Sequence, residues 1–388
     1  MRPHVATLFG QQEKVYGRLS YGDKLRFSED GRRLYLRPDG TAKHAGDRIE
    51  NPELGATLRI IARAGAEAFY SGEIARRIID DMKRHDGLLT ASDLANCAPY
   101  SSAPLSISYR GFTVALPPPP TGGIMVAEML RILERFDLVA LGHNTSEYIR
   151  VVAEAMKIAG RDKERHIGDP RILPPPLERL LSDSYADDNA AVIRCGEKIA
   201  LTRAGGDAKH TTTVSCVDQD GMIVTLTHTL GLPSGVIPPG TGFMLNGAMN
   251  WYDPRPGRSG SIASGKRRFS SMSPTVVFSG DRAVATLGAP GGAWIPIAIL
   301  QVLLNVLDFG MGIQEAVMAP RFSATSDVID ISSRVTRPTQ RQLEAFGYEV
   351  RRSPLTYAFA GVHGITQFDG RLEGGADPQR DGYAAGVA

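Results

Sequence analysis

Apolar residues recur along this chain with one of two periods, and the period names the element. From Asn51 to Gly87 they fall three or four apart, at Leu54, Leu58 and Ile61 and then at Ile74, Ile78, Ile79 and Met82. That spacing predicts two amphipathic helices, with Gly65 and Gly72 as their punctuation. The same period predicts helices in IMVAEMLRILERFD (124–137), in TSEYIRVVAEAMKIAGRDKERHIGD (145–169) and within 295–322, the second capped by Asn144 or Thr145. Short apolar runs broken by Gly-containing turns predict strands instead: a pair around Gly111, ending in the stiff run Pro117–Pro120, and a pair around Gly280-Asp281. Residues 170–209 lose the periodicity and gain Asp, Gly, Pro and Ser, which predicts a linker. Helices, then turn-linked strands, then helices describe an α+β fold with antiparallel sheet covered by helices.

One stretch alternates strictly. In TTTVSCVDQDGMIVTLTHT (211–229) every second residue of the first half is Thr or Ser, and the second half mirrors it. Asp218-Gln219-Asp220-Gly221 is a turn signal, and a hairpin closed there pairs residues whose numbers sum to 440. Thr211 then faces Thr229, Thr213 faces Thr227 and Ser215 faces Thr225. Hydroxyls fill one face; Val214 and Cys216 oppose Leu226 and Val224 on the other, which the pattern assigns to the core.

Composition narrows the class. The 388 residues, 42% of them hydrophobic, can form one large domain or two of moderate size. A formal charge of +2, with no basic run longer than Lys266-Arg267-Arg268, speaks against a nucleic-acid partner and for a small-molecule one. Three cysteines (Cys97, Cys195, Cys216) without CxxC spacing argue against a disulfide framework and a zinc site, and fit a reducing, cytoplasmic location. Neither a signal-peptide core nor an apolar run of bilayer length occurs, so no membrane partner is expected. GxGxxG and GxxxxGK[ST] are absent, so no nucleotide cofactor is expected. His210 and His228 flank the hairpin without a third ligand and predict no metal. His363 and Trp294 are expected to make structural contacts.

The hydroxyl face carries no Lys, Glu or Arg, which an ordinary solvated face would mix among its threonines. Threonine needs a base to become a nucleophile, and a threonine at a chain terminus has one in its own α-amine, of pKa about 8. Such chemistry requires a cut just before Thr211, at the end of the irregular GGDAKH segment.

TTTVSCVDQDGMIVTLTHTL, GTGFMLNGAMNWYDPRPG, KRRFSSMSPT, LGAPGG, APRF and GADPQRDGY, in that order, resemble the γ-glutamyltransferase family of N-terminal-nucleophile hydrolases. NPELGATLRIIARAGAEAFYSGEIA, LPPPPTGG and AEAMKIAGRDKERHIGDP are similar to its large-subunit portion. The resemblance implies a four-layer αββα sandwich with antiparallel central sheets. It implies a proenzyme cut between His210 and Thr211 into two partner subunits, 1–210 and 211–388. Residue by residue it implies Thr211 as nucleophile, Thr229 as its hydrogen-bond partner, and Gly291 and Gly292 as donors to the oxyanion, with Thr212 and Thr213 as ordinary sheet residues. The implied activity is cleavage of a γ-glutamyl or related amide through a threonine acyl-enzyme, with transfer to water or an amine.

The substrate-reading positions depart from the family pattern. Gly231 stands where an asparagine is usual, and Ala248 and Trp251 where a glutamine and an aspartate are usual; Ser270 and Ser271 remain to meet an acid group. Losing the acidic partner of a desolvated ammonium costs on the order of 3 to 5 kcal/mol. This predicts a small amide acid or acyl amide without an α-amine as substrate, with Trp251 closing the pocket. Family members also carry a segment ahead of the region matched here, with strands and a carboxylate-binding arginine. The expectation is therefore of a truncated N-terminal part, and the alternative to an enzyme is a non-catalytic binding or assembly module. A homodimer fits either reading.

Overall fold

The computed structural model describes residues 21–201 and 211–386. The chain divides into two compact units, one of residues 1–101 with 232–247, the other of residues 102–231 with 248–388. Thr211, where the sequence places the start of the smaller subunit, falls inside the second unit.

In the first unit the two helices appear as Pro52–Ala64 and Glu73–Arg84, with a short helix Glu67–Tyr70 between them. Asn51 caps the first by accepting from the Leu54 amide, Pro52 opens it, and Gly65 closes it at φ 66°. Ile74, Ile78 and Ile79 pack with Ala68, Ala75 and Leu94, whereas Leu58 is exposed. Segment 232–247 is tied to this helix pair by polar contacts: Asn51 Nδ2 donates to the Gly242 carbonyl (2.7 Å) and Thr57 Oγ1 to that of Thr241 (2.8 Å).

The second unit holds a six-stranded antiparallel sheet. Its strands are β1 (Leu105–Tyr109), β2 (Phe112–Leu116), β5 (Thr275–Ser279), β6 (Arg282–Gly288), β10 (His363–Phe368) and β11 (Arg371–Ala376), in that spatial order. Helices Gly123–Leu133, Ser146–His166 and Ile295–Leu307 bury their apolar residues with Val114, Leu116, Val277, Ala285 and Leu287 of the sheet in one core. Thr145, not Asn144, caps the second of these helices, accepting from the Tyr148 amide. A small sheet of β7 (Phe322–Ser323), β8 (Ile329–Ile331) and β9 (Val350–Arg352) lies apart from these strands.

The predicted linker is corrected in part. Asp183–Arg194 is a helix capped by Ser182, and it packs on helix Gly123–Leu133 through buried Ala186, Ala190 and Ile193. Its stripe is made of alanines set among aspartates, so little in its hydrophobicity announces it. Residues 202–210, which include His210, lie outside the described residues.

Strands β3 (Thr211–Val217) and β4 (Ile223–Thr229) form a separate antiparallel hairpin with the register the turn predicts: Thr211 opposite Thr229, Thr213 opposite Thr227, Ser215 opposite Thr225. Gly221 closes the turn at φ 83°. The hairpin packs against β6 and β10, but with its faces reversed from the sequence expectation. Val214, Val224 and Leu226 are 51–59% exposed, while the hydroxyl face is turned inward. Two things permit this. A Cβ on Gly288 of β6 would come within 2.0 Å of Thr213 Oγ1, so a bare glycine lets the layers approach. The half-buried hydroxyls also satisfy one another across the strands, Thr213 with Thr227 at 3.1 Å and Ser215 with Thr225 at 3.0 Å. Helices, six-stranded sheet and hairpin are thus stacked as successive layers of an α+β sandwich of the αββα type.

Candidate active site

Thr211 is the first residue of β3 and is 7% exposed. Its hydroxyl donates to Thr229 Oγ1 at 3.0 Å, and the same oxygen accepts from the Gly231 amide at 2.8 Å. Thr229 is therefore held from both sides, and a hydroxyl donating in one direction keeps its lone pairs turned elsewhere. Gly231 adopts φ 72°, and a Cβ there would sit 2.9 Å from Trp251 Cη2. The indole edge and the left-handed backbone both demand glycine at 231.

Trp251 ends a short 3-10 turn, Ala248–Trp251, and Arg268 stacks on its ring with Cζ 4.1 Å from the centroid. Burial pulls the Arg268 guanidinium down to about 10 from its usual value. Ser270 and Ser271 are half-buried in the extended segment that follows. The Ser270 amide donates to the Pro120 carbonyl at 2.8 Å, and the Ser271 carbonyl lies against Gly122. The proline run thus anchors the serine pair, and Thr211, Thr229, Gly231 and Trp251 form one connected row of contacts.

Beyond β6 the chain turns through Gly291 (φ 150°) and Gly292 (φ 62°) into the short 3-10 turn Gly292–Trp294. Gly288, which touches Thr213, stands three residues ahead of this turn. The first N–H groups of a helical turn have no partner within it, and neither glycine amide meets an acceptor among the described residues. The turn is backed from outside. A Cβ on Gly291 would come within 2.3 Å of the Ala360 Cβ, and the Gly361 amide donates to the Pro290 carbonyl at 3.1 Å. Phe359 and Ala360 both adopt left-handed backbone (φ 67° and 68°), an uncommon state for residues with a Cβ. The Ala360 carbonyl accepts from Arg321 Nη2 at 2.9 Å and from Gln379 Nε2, and Arg321 forms a fully buried ion pair with Asp377. Sequence reasoning did not assign these buttressing residues, although Arg321, Asp377 and Gln379 belong to the APRF and GADPQRDGY blocks.

His228 is exposed on the outer face of β4, and His363 Nδ1 accepts from the Asp377 amide at 3.3 Å. Among the described residues no group of three His, Cys, Asp or Glu side chains is placed to hold a metal, no helix is long and apolar enough to cross a membrane, and the three cysteines are free.

A family model described as gamma-glutamyltranspeptidase matches residues 11–387. The acylase ACY 1 proenzyme of Pseudomonas sp. (strain V22) is 35% identical over 367 residues, covering 93% of this chain and 65% of the relative. The glutathione hydrolase proenzyme of Escherichia coli (strain K12) is 31% identical over 382 residues, covering 93% and 65%. The cephalosporin acylase of Bacillus halodurans superposes with a TM-score of 0.84 at 27% identity, covering 99% of this chain and 71% of that one. The chain therefore spans about two thirds of the length of the curated relatives it matches.

Proposed function

The chain belongs to the gamma-glutamyltranspeptidase family, and on that footing we propose that it cuts itself before Thr211 and then hydrolyses or transfers the acyl group of an amide that lacks an α-ammonium group. The observation that carries this reading is the buried Thr211 hydroxyl, fixed on Thr229 at the first residue of a strand. In the maturation step Thr211 Oγ adds to the carbonyl carbon of His210, the C–N bond breaks, and the nitrogen leaves as the amine of Thr211. Water then hydrolyses the ester, leaving a carboxylate on His210 and a free hydroxyl on Thr211. In turnover the new amine takes the hydroxyl proton as Oγ adds to the substrate carbonyl, and returns it to the departing nitrogen. The amides of Gly291 and Gly292 supply hydrogen bonds for the oxyanion formed in each step. Water or an amine then takes the acyl group from Thr211. The relatives named as proenzymes support the maturation step, and with it two subunits that remain partners.

The choice of acyl group rests on Gly231 and Trp251. An ammonium needs a carboxylate or amide to replace its water. Trp251 instead packs an indole edge against the bare backbone of Gly231. The neighbouring acids are engaged, Asp253 by Arg255 at 2.8 Å and Asp169 by Arg171 and the Arg267 amide. The relatives named as acylases support the same choice. The test is a comparison of anilides after prolonged incubation of the chain. Simple acyl anilides should be turned over faster than the γ-glutamyl anilide, and Thr211→Ala should abolish both rates. Faster γ-glutamyl turnover would refute the substrate reading, and no turnover of any anilide would favour a binding module.

A further inference from the structure

The first unit carries a concave basic patch that the chemistry of Thr211 does not use. A cavity of about 570 Å³, open to solvent, is lined by Arg32, Arg33, Arg37, Lys43 and Arg48, with Asp47 as the one acid among its lining residues. Local structure brings these cations together. Ser28 caps helix Glu29–Tyr35 by accepting from the Gly31 amide at 3.1 Å, and Arg32 and Arg33 stand in its last turn. The chain then doubles back through Pro38-Asp39-Gly40, with Gly40 at φ 80°, a bridge between Leu36 and Ala42, and the Lys43 amide donating to the Tyr35 carbonyl at 2.9 Å. That reversal carries Arg37 and Lys43 to the end of the helix. Leu34 and Leu36 take the buried positions of the segment, and the cations are left to the surface.

Their counter-charges are too few. Arg33 meets Asp30 at 2.8 Å and Glu53 at 3.0 Å, and Arg37 meets Asp47 at 2.8 Å. Arg48 meets Glu50 at 3.0 Å on side chains 86% and 68% exposed, where an ion pair is weak. Arg32 and Lys43 have carbonyl oxygens alone. Arg32 Nη1 donates to those of Arg26 (2.7 Å) and Phe27 (3.2 Å), and Lys43 Nζ to that of Arg48 (2.9 Å); neither meets a carboxylate among the described residues. Asp47 is already engaged, since the His44 amide at 2.7 Å and Arg37 occupy its carboxylate and hold it below the usual carboxylate range. A cleft lined by one sign of charge concentrates counter-ions. The kind of anion follows from the geometry: one flat guanidinium fork satisfies a carboxylate, whereas a phosphate presents tetrahedral oxygens that accept from several directions. Cations gathered in one cavity, and not laid out along a stripe, fit a compact ligand better than a nucleic-acid backbone. We propose that this cavity binds clustered phosphate groups, carried by a soluble pyrophosphate compound or by a lipid surface, with Arg32 and Lys43 as the residues that hold them. The cavity belongs to the unit without Thr211, so phosphate binding and amide turnover are read independently.

Two binding measurements on the full chain test this. Pyrophosphate and tripolyphosphate are titrated calorimetrically beside citrate, an anion of similar charge built from carboxylates. Sedimentation with phosphatidylcholine vesicles is followed with and without phosphatidic acid. Pyrophosphate should bind about tenfold or more tightly than citrate, or the phosphatidic acid vesicles about tenfold or more tightly than the plain ones. Binding of pyrophosphate assigns the cavity to soluble ligands, and binding of the vesicles alone assigns it to a lipid surface. Lys43→Gln and Arg32→Gln should each weaken that binding about tenfold, the size expected of a hydrogen bond to a charged group, and Arg32→Lys should weaken it less. Arg76→Gln removes the same charge from an exposed position outside the cavity and should leave binding unchanged. If Arg32→Gln disturbs the helix end, Lys43→Gln decides alone, because the Lys43 ammonium holds a single carbonyl. No binding of either kind, citrate bound as tightly as the phosphates, binding that survives Lys43→Gln, or an equal loss in Arg76→Gln would overturn the proposal.

Discussion

Two hairpins of the second unit face each other and follow opposite rules. In β5–β6 the inward residues are the apolar ones: Val277, Ala285 and Leu287 are buried against the helices, as alternation predicts. In β3–β4 the inward residues are Thr211, Thr213, Ser215 and their partners, and the apolar ones stand in solvent. Alternation says that a strand has two faces; it does not say which neighbour each face will meet. The hydroxyl face meets a glycine at a distance that no larger residue allows, and it can be buried because each hydroxyl has a partner on the opposite strand. The layer contact of β5–β6 is set by volume, and that of β3–β4 by closeness and hydrogen bonding. Only the second kind holds a hydroxyl such as that of Thr211 at a fixed place by hydrogen bonding.

The contrast can be broken at five positions. Gly288→Ala should do most harm, because its methyl would meet Thr213 Oγ1 at 2.0 Å and Thr213 Cβ at 3.0 Å; a loss of about 2 to 4 kcal/mol in urea unfolding is expected. Thr213→Ala in the same chain should recover part of that loss. Val277→Ala on the apolar hairpin should cost about 2 kcal/mol through lost burial and a cavity, with no dependence on Thr213. Thr213→Val should cost about 1 kcal/mol by leaving the Thr227 hydroxyl unpaired, and the double change Thr213→Val with Thr227→Val should cost less than the single one. Leu226→Thr, on the outer face, should stay within about 0.5 kcal/mol. A loss at Leu226 as large as that at Val277 would show the faces to be wrongly assigned.

The sequence carried the helices with long stripes and the hairpin register, because both follow from local spacing and a turn with its own chemistry. It also placed Thr211 opposite Thr229, which is arithmetic from Gly221. It did not carry helix Asp183–Arg194, whose stripe is alanine, nor the direction in which the hairpin faces, which is decided by Gly288 on a strand distant in sequence. The backing of Gly291 was hidden for the same reason: Ala360, Arg321 and Gln379 meet only in the fold. Arg268 read as part of a short basic run, and only its stacking on Trp251 sets it apart.

The central claim is that Thr211 becomes a chain terminus and acts from there. Intact mass and N-terminal sequencing of the purified chain, followed through incubation, test it directly. The account predicts two fragments that appear together, the smaller beginning Thr-Thr-Thr-Val, with amide hydrolysis rising in step and with neither fragment formed by Thr211→Ala. A chain that stays whole, or one that hydrolyses amides before any cut at Thr211, would contradict it.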